Sequence, residues 1–261
     1  MNSQKTVLIT GASSGLGAEF ARQYAAQGYQ LILVARRLDR LQALIDTLQT
    51  QHSQSMWAIA CDLSEVGAVA ELMDEIAGEE LSIDILVNNA GYSPKEGFTE
   101  QSLLVVQAQL QVMVNALTEL CHAVLPHMQA QGFGRIINVS SLAAFAPPGR
   151  GTMYSAIKQY GLSFSQSLDM AVKPHGIHVT ALCPGFTHTE FHETMQVSEQ
   201  AAKIPNFLWG DVEEVVRAAI AAVESGKPVI TPKVVNQIIA AFSKRMPEAV
   251  RYQMGKLNFL E

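Results

Sequence analysis

Tyr154 and Lys158 lie four residues apart in a segment of helical periodicity, 152–172, so their side chains share one helix face. A phenol with an ordinary pKa near about 10 is a poor proton donor or acceptor at neutral pH. A nearby ammonium favours the phenolate and lowers that value. Tyr154 is therefore expected to give a proton to a carbonyl oxygen or, in reverse, to take one from an alcohol. Ser141, thirteen residues earlier at the end of a strand-like run, offers a hydroxyl that can hold the same oxygen. A Tyr–Lys pair at this spacing is by itself an ordinary surface pair, so its meaning depends on the elements around it.

A second chemistry-bearing stretch lies near the start of the chain. The run 5–10 leads directly into Thr10-Gly11-Ala12-Ser13-Ser14-Gly15-Leu16-Gly17, and helical periodicity follows through Phe20 and Tyr24. Gly11 permits a sharp strand-to-loop turn, Gly15 lets backbone approach a pyrophosphate, and Gly17 lets the helix pack against the strand. The helix N-terminus then offers free N–H groups and the positive end of its dipole to phosphates. The next strand ends in Val34-Ala35-Arg36-Arg37. An acidic residue there would bind the ribose hydroxyls of NAD, whereas Arg36 offers a planar fork suited to a 2′-phosphate. NADP(H) is therefore the expected dinucleotide. Arg37 reads as no more than the solvated start of the following helix.

Strand-like runs (5–10, 30–35, 56–60, 83–87, 134–140, 177–183, 228–231) alternate with helical ones (15–27, 38–51, 65–77, 101–131, 152–172, 211–225). Near-continuous apolar strands separated by helices imply a parallel sheet covered on both faces. The expected fold is α/β, a doubly wound Rossmann-type sheet in a single domain over 1–261, with ligand at the carboxyl ends of the strands.

The motifs resemble those of the short-chain dehydrogenase/reductase family. The glycine turn is spaced TGxxxGxG, and Asn88-Asn89-Ala90-Gly91 follows the fourth strand. Asn138-Val139-Ser140-Ser141 ends the fifth strand, and Tyr154-Ser155-Ala156-Ile157-Lys158 comes next. Pro184-Gly185-Phe186-Thr187-His188-Thr189 follows the sixth. They occur in family order and span roughly 5–190. The resemblance implies NADP(H) held by Gly11, Ser13, Ser14, Gly15, Leu16, Gly17, Arg36, Asp62, Leu63, Asn89, Ala90, Gly91, Tyr154, Lys158, Pro184, Gly185, Thr187 and Thr189. In the family, the turn after the sixth strand meets the nicotinamide carboxamide. The resemblance selects Ser141 rather than Ser140 as the catalytic serine and makes Asn115 the asparagine that supports a water-linked proton relay to the lysine. It places Ala35 where NAD-specific members carry Asp, and it shows Ser14 where some members add a basic residue. It further implies a homodimer or homotetramer built through the long helices near 101–131 and 152–172.

Composition narrows the remainder. The chain has 261 residues, 48% of them hydrophobic, and a net charge of −6. No Lys/Arg-rich run marks a nucleic-acid interface. Cys61, Cys121 and Cys183 are scattered, which fits a reducing cytoplasm rather than disulfides or zinc. His188 and His192 lack a third ligand, so no metal is expected. The N-terminal stretch carries no signal-peptide pattern, and no run of about 18 apolar residues marks a transmembrane segment. Residues 190–210 are expected to form a mobile cover over the cleft. Its Phe191, Met195, Ile204, Phe207, Leu208 and Trp209, with Ala146, Pro147, Pro148 and Met153, point to a hydrophobic carbonyl or alcohol substrate. The tail 232–257 mixes apolar and basic residues at helical spacing. It is expected to pack on the domain, join a subunit interface or touch a membrane, in that order. The activity expected is reduction of a ketone or 3-oxoacyl carbonyl by NADPH. Oxidation of an alcohol or hydroxysteroid by NADP is the alternative. A nucleotide-binding regulator without turnover would be expected to lack Tyr154 or Lys158, and both are present.

Overall fold

The computed structural model describes residues 4–94, 96–149, 152–187, 205 and 208–256. Seven parallel strands form one sheet in the order β3-β2-β1-β4-β5-β6-β7. They are β1 Thr6–Thr10, β2 Gln30–Ala35, β3 Met56–Ala60, β4 Ile85–Asn88, β5 Gly134–Val139, β6 Ile177–Leu182 and β7 Val229–Ile230. The central strands are apolar on both sides because both sides are covered. On one face Val7, Ile9, Leu31 and Leu33 meet α1 (Gly15–Ala26), α2 (Leu38–Gln49) and α7 (Val212–Glu224). On the other, Leu8, Ile32, Leu86 and Ile136 meet α3 (Ala68–Gly78) and α5 (Ala116–Gln131). α6 (Thr152–Val172) also lies along this second face, where Val172 joins the core and Phe164 and Leu168 pack against it. Each strand thus feeds alternate residues to two cores, as its pleat dictates.

The order reverses between β1 and β4. Chain leaves β1 toward β2 on one side, while β4 begins the run to β5, β6 and β7 on the other. The loops after β1 and β4 diverge there and open a crevice at the strand carboxyl ends.

Two elements differ from expectation. The helix expected over 101–131 is divided. α4 (Leu103–Leu110) is followed by a π-helical turn, Gln111–Asn115, and then by α5. The wider turn lets both Gln111 and Met113 face inward, two residues apart, which a regular α-helical stripe does not allow. By length and composition alone this whole stretch, Leu103–Gln131, is apolar enough to cross a membrane, as core helices often are. Much of that apolarity serves the sheet, because Ala116, Leu117, Leu120, Cys121, Val124 and Met128 are buried in the second core. The tail forms two helices, α8 (Val234–Arg245) and α9 (Glu248–Lys256), separated around Pro247, which cannot continue a helix.

A buried polar tether crosses the second core. Asn88 and Asn138, the last β4–β5 register pair, meet side chain to side chain, Asn88 Nδ2 donating to Asn138 Oδ1 at 2.9 Å. Asn138 Nδ2 donates to Ser165 Oγ at 2.9 Å, and Ser165 donates to the Gly161 carbonyl at 2.6 Å, so the tether ends on α6. Asn138→Ala would remove the carbonyl that accepts from Asn88 and the amide that donates to Ser165 inside the core, at about 1–3 kcal/mol. The thermal midpoint, followed by circular dichroism, should fall by roughly 2–10 °C. A midpoint equal to wild type would show that α6 does not need the tether.

Candidate active site

The proton-handling residues are held where β5 meets α6. Lys158 is buried, and its Nζ donates to the Val139 carbonyl at 2.8 Å. Ser140 Oγ donates to the Lys158 carbonyl at 2.7 Å. Adjacent residues at the β5 terminus therefore grip one residue of α6 through both its side chain and its backbone. Ser140 is consumed in that grip, so Ser141 is the serine with a hydroxyl turned to other work. Ser141 Oγ accepts from Ala143 N at 3.1 Å, capping the short 3₁₀ turn Leu142–Phe145, and it hydrogen-bonds the Tyr154 hydroxyl. Lys158 Nζ lies 5.5 Å from the Tyr154 ring centre. Ser141, Tyr154 and Lys158 thus come together as the spacing predicts.

Their protonation differs from expectation. Burial pushes the Tyr154 phenol up to about 12, against a lowering by its Ser141 hydrogen bond. Burial draws the Lys158 ammonium down to about 8, with the Cys183 thiol pulling the other way. The expected lowering of the phenol by the ammonium is not observed: desolvation raises it, only the Ser141 hydrogen bond lowers it, and the ammonium is directed at the Val139 carbonyl. Tyr154 is a protonated donor at neutral pH.

Asn115 ends the π turn and is exposed, and its Nδ2 donates to Gln111 Oε1 at 2.7 Å on its own helix. The structure does not bring its side chain to Lys158. The π turn, however, runs beside α6. Its Val112 and Met113 line a cavity of about 20 Å³ with Asn88, Ser140, Ile157 and Lys158.

The glycine turn is built for close approach. A Cβ on Gly17 would lie 2.3 Å from the Gly11 carbonyl oxygen, and Gly11 itself has φ +66°. Asn89 fixes this loop, its Nδ2 donating to the carbonyls of Thr10 (3.0 Å) and Gly11 (3.1 Å). Thr10 Oγ1 accepts from the backbone N–H groups of Asn89 and Ala90 at 3.0 and 3.1 Å. Asn89 and Ala90 are thereby joined to the phosphate turn across the β1–β4 switch point. Gly91 follows them against Met113 of the π turn. Ser14 caps α1 in extended backbone without a side-chain bond, so the first-turn N–H groups around Gly15, Leu16 and Gly17 point out of the helix end.

The ends of β2 and β3 converge beside this turn. Asp62 binds Ser64 through both its backbone N–H (3.0 Å) and its hydroxyl (2.7 Å). Burial would raise the Asp62 pKa, but these two bonds and the Arg36 charge together hold it below the usual carboxylate value. Leu63 is buried beside it. Arg37, read from sequence as only a solvated helix start, donates Nη2 to Ser13 Oγ at 3.2 Å within the turn. Arg37 thus reaches the glycine turn, and the Arg36 charge acts on Asp62 beside it.

On the opposite side, Pro184–Thr187 follows β6. Thr187 Oγ1 donates to the Gly185 carbonyl at 3.1 Å, and Gly210 N donates to the Phe186 carbonyl at 2.7 Å. A Cβ on Gly185 would fall 2.5 Å from Asn236 Nδ2 of α8, so the tail braces this turn. Thr189, His188, Phe191, His192, Met195, Ile204 and Phe207 lie outside the described residues. Leu208 and Trp209 are described, and Phe186 and Trp209 meet ring to ring at 5.8 Å.

A dinucleotide fits these residues. The glycine cradle has room only for hydrogen where a Cβ would strike backbone, and the helix end supplies unshared N–H donors. Among the described residues no group of three His, Cys, Asp or Glu side chains is arranged to hold a metal ion. Sequence reading missed Arg37 and gave no role to Asn88, Asn138 or Ser165. A signal existed for the asparagines, since Asn88 ends an otherwise apolar strand and Asn138 follows the apolar pair Ile136-Ile137.

Residues 5–200 match the family model described as short chain dehydrogenase. A short-chain dehydrogenase from Sphingobium yanoikuyae, solved in complex with NADPH, is 32% identical with a TM-score of 0.80, over 94% of this chain and 97% of that one. A bulky-bulky ketone specific alcohol dehydrogenase from Comamonas testosteroni is 30% identical with a TM-score of 0.78, over 95% and 97%. The 3-oxoacyl-(acyl-carrier-protein) reductase of Buchnera aphidicola is 29% identical over 226 residues, 83% of this chain and 88% of that protein.

Two outcomes test this geometry. Gly17→Ala should weaken dinucleotide binding by about tenfold or more, since about 1.4 kcal/mol of displacement suffices, while circular dichroism stays unchanged. Unaltered affinity would refute the close-approach argument. The kcat/KM for carbonyl reduction, which reports the free enzyme, should fall as pH rises through about 8, where Lys158 loses its proton. A profile flat from pH about 7 to about 9.5 would show that the Lys158 charge is not required.

Proposed function

This chain belongs to the short-chain dehydrogenase/reductase family, and we propose that it uses NADPH to reduce the carbonyl of a bulky hydrophobic substrate, a ketone or a 3-oxoacyl compound, to the alcohol. The observation that carries this reading is the Tyr154 hydroxyl, bonded to Ser141 and held protonated at neutral pH in front of the buried Lys158. The bound dinucleotide supplies hydride to the carbonyl carbon. Ser141 holds the carbonyl oxygen, and Tyr154 donates its proton to that oxygen as negative charge develops there. Lys158, fixed by Val139 and Ser140, stabilises the phenolate that remains. The reductase is preferred over the alcohol or hydroxysteroid dehydrogenase because one solved relative holds NADPH and another related protein is named a 3-oxoacyl reductase.

Preference for NADPH rests on Arg36 and Arg37 with Ala35 in place of an acidic residue. The apolar substrate rests on Ala146, Pro147, Met153, Phe186, Leu208 and Trp209, and on the bulky ketones and 3-oxoacyl groups named for two related proteins. Subunit contacts are assigned to the exposed Leu103, Leu104 and Val105 of α4 and Met170 of α6.

NADPH consumption against aliphatic, aromatic, steroid and acyl-thioester ketones is the direct test. Tyr154→Phe should lower kcat by about 10²–10⁴, and turnover at the wild-type rate would refute the mechanism. Arg36→Ala and Arg37→Ala should each raise the NADPH Kd by about 10-fold or more and leave the NADH Kd nearly unchanged. Equal losses for both dinucleotides would overturn the cofactor assignment.

A further inference from the structure

The tail helices carry a surface that the reaction does not use. On α8, Asn236, Ala240 and Ser243 face inward, with Ala240 packed against Ala144 and Phe145 beneath the site. The opposite side of the helix presents Val234, Ile238, Phe242 and Arg245, which fall within an arc of about 80°. The three apolar members are 69%, 63% and 67% exposed. α9 adds exposed Val250 and Tyr252.

Charge is distributed unevenly between this hairpin and the rest of the chain. Residues 233–256 hold five cations (Lys233, Lys244, Arg245, Arg251, Lys256) against Glu248, a net +4, on a chain of net −6. The remainder therefore carries −10. The hairpin also borders the substrate side. Arg251 donates to the Ala146 carbonyl at 3.1 Å, a Cβ on Gly255 would strike the Pro148 carbonyl, and Lys244 lies 4.5 Å over the Phe145 ring.

We propose that α8 and α9 form a peripheral docking surface for an anionic lipid membrane, placing the apolar substrate cleft beside the bilayer. An amphipathic helix with large apolar side chains and basic residues lies in a lipid interface, bound by apolar burial together with attraction to acidic headgroups. Two facts favour this occupant over a second copy of the chain. A symmetric contact through this face would bring two hairpins of net +4 together. The apolar part of the α8 stripe, Val234 to Phe242, also runs only about 12 Å, short for the roughly 800 Å² per partner of a stable dimer. The proposal does not depend on the identity of the substrate or on the direction of the reaction.

The test is co-sedimentation of the full chain with phosphatidylcholine vesicles, with and without about one third phosphatidylglycerol. At least about tenfold more protein should bind the anionic vesicles, and the difference should collapse on raising salt from about 0.05 to about 0.5 M. Ile238→Ser with Phe242→Ser should abolish binding, and Arg245→Glu alone should reduce it severalfold. All these variants should retain the wild-type thermal midpoint and the turnover of a water-soluble ketone. Equal binding to neutral vesicles, or none to either, would overturn the proposal. So would light scattering that shows an oligomer dissociating on Ile238→Ser with Phe242→Ser, since a second copy would then cover the face.

Discussion

The site depends on a reciprocal clasp between the end of β5 and one residue of α6. Lys158 donates its ammonium to Val139, and Ser140 donates its hydroxyl back to the Lys158 carbonyl. A buried lysine normally resists ionisation, and a buried helix position normally wants an apolar residue. The clasp makes the position tolerable by giving the ammonium a carbonyl acceptor. It also sets the rotation of α6, which determines where Tyr154 emerges one turn earlier. Ser141 follows Ser140 in the chain, so the same strand end that fixes the lysine also delivers the hydroxyl that meets the phenol. The Asn138–Ser165 bond holds α6 again two turns farther along.

That arrangement explains why the proton chemistry departs from the simple pairing argument. Desolvation and a neighbouring charge act oppositely on a phenol, and the larger effect wins. Here the half-buried phenol has lost much of its water, and the ammonium is itself weakened by burial and directed at Val139. Tyr154 therefore keeps its proton while Lys158 sits close to its titration point. For a group that must donate a proton the first condition is an advantage, since the acid form is fully populated. The stability linkage runs with the same signs. The unfolded chain binds the Lys158 proton more tightly, so this residue costs stability below about pH 8 and the cost is relieved as pH rises toward about 10.5. The folded chain holds the Tyr154 proton more tightly, so stability is lost as pH rises from about 10 to about 12.

What was legible in the sequence was mostly what is local. Apolar runs located all seven strands, because a doubly covered parallel strand is apolar throughout, and the glycine turn was visible because its three glycines are near neighbours. Tyr154 and Lys158 were legible because four residues make one helical turn. The tether was not, because Asn88 and Asn138 are fifty residues apart and meet only through strand register. Arg37 was read as solvated because sequence carries no sign that its side chain bends back to Ser13. The π turn escaped because an apolar stretch gives no periodicity sharp enough to show one extra residue. Asn115 was placed on the correct helix, but that turn directs its amide to Gln111 rather than toward the lysine.

The two ends of the crevice are built from opposite materials, and the sheet topology makes that possible. On the β2 and β3 side of the switch point the loops carry Arg36, Arg37 and Asp62, groups that gain from contact with a charged, hydrated ligand. On the β5 and β6 side they carry Ala146, Pro147, Met153 and Phe186, which gain from excluding water. Tyr154, Ser141 and Lys158 stand at the boundary. In the proposed reaction, charge on the carbonyl oxygen would develop next to these fixed donors, and such donors are stronger in a partly desolvated site than in solvent. The tail extends the apolar side: Asn236 braces Gly185, and Arg251 reaches Ala146, so helices outside the sheet hold the turns that shape the substrate end. A fold that placed both ligands on one side of the switch point would have to desolvate the phosphates or wet the substrate. The reversal of strand order at β1 and β4 removes that conflict by sending the two sets of loops apart.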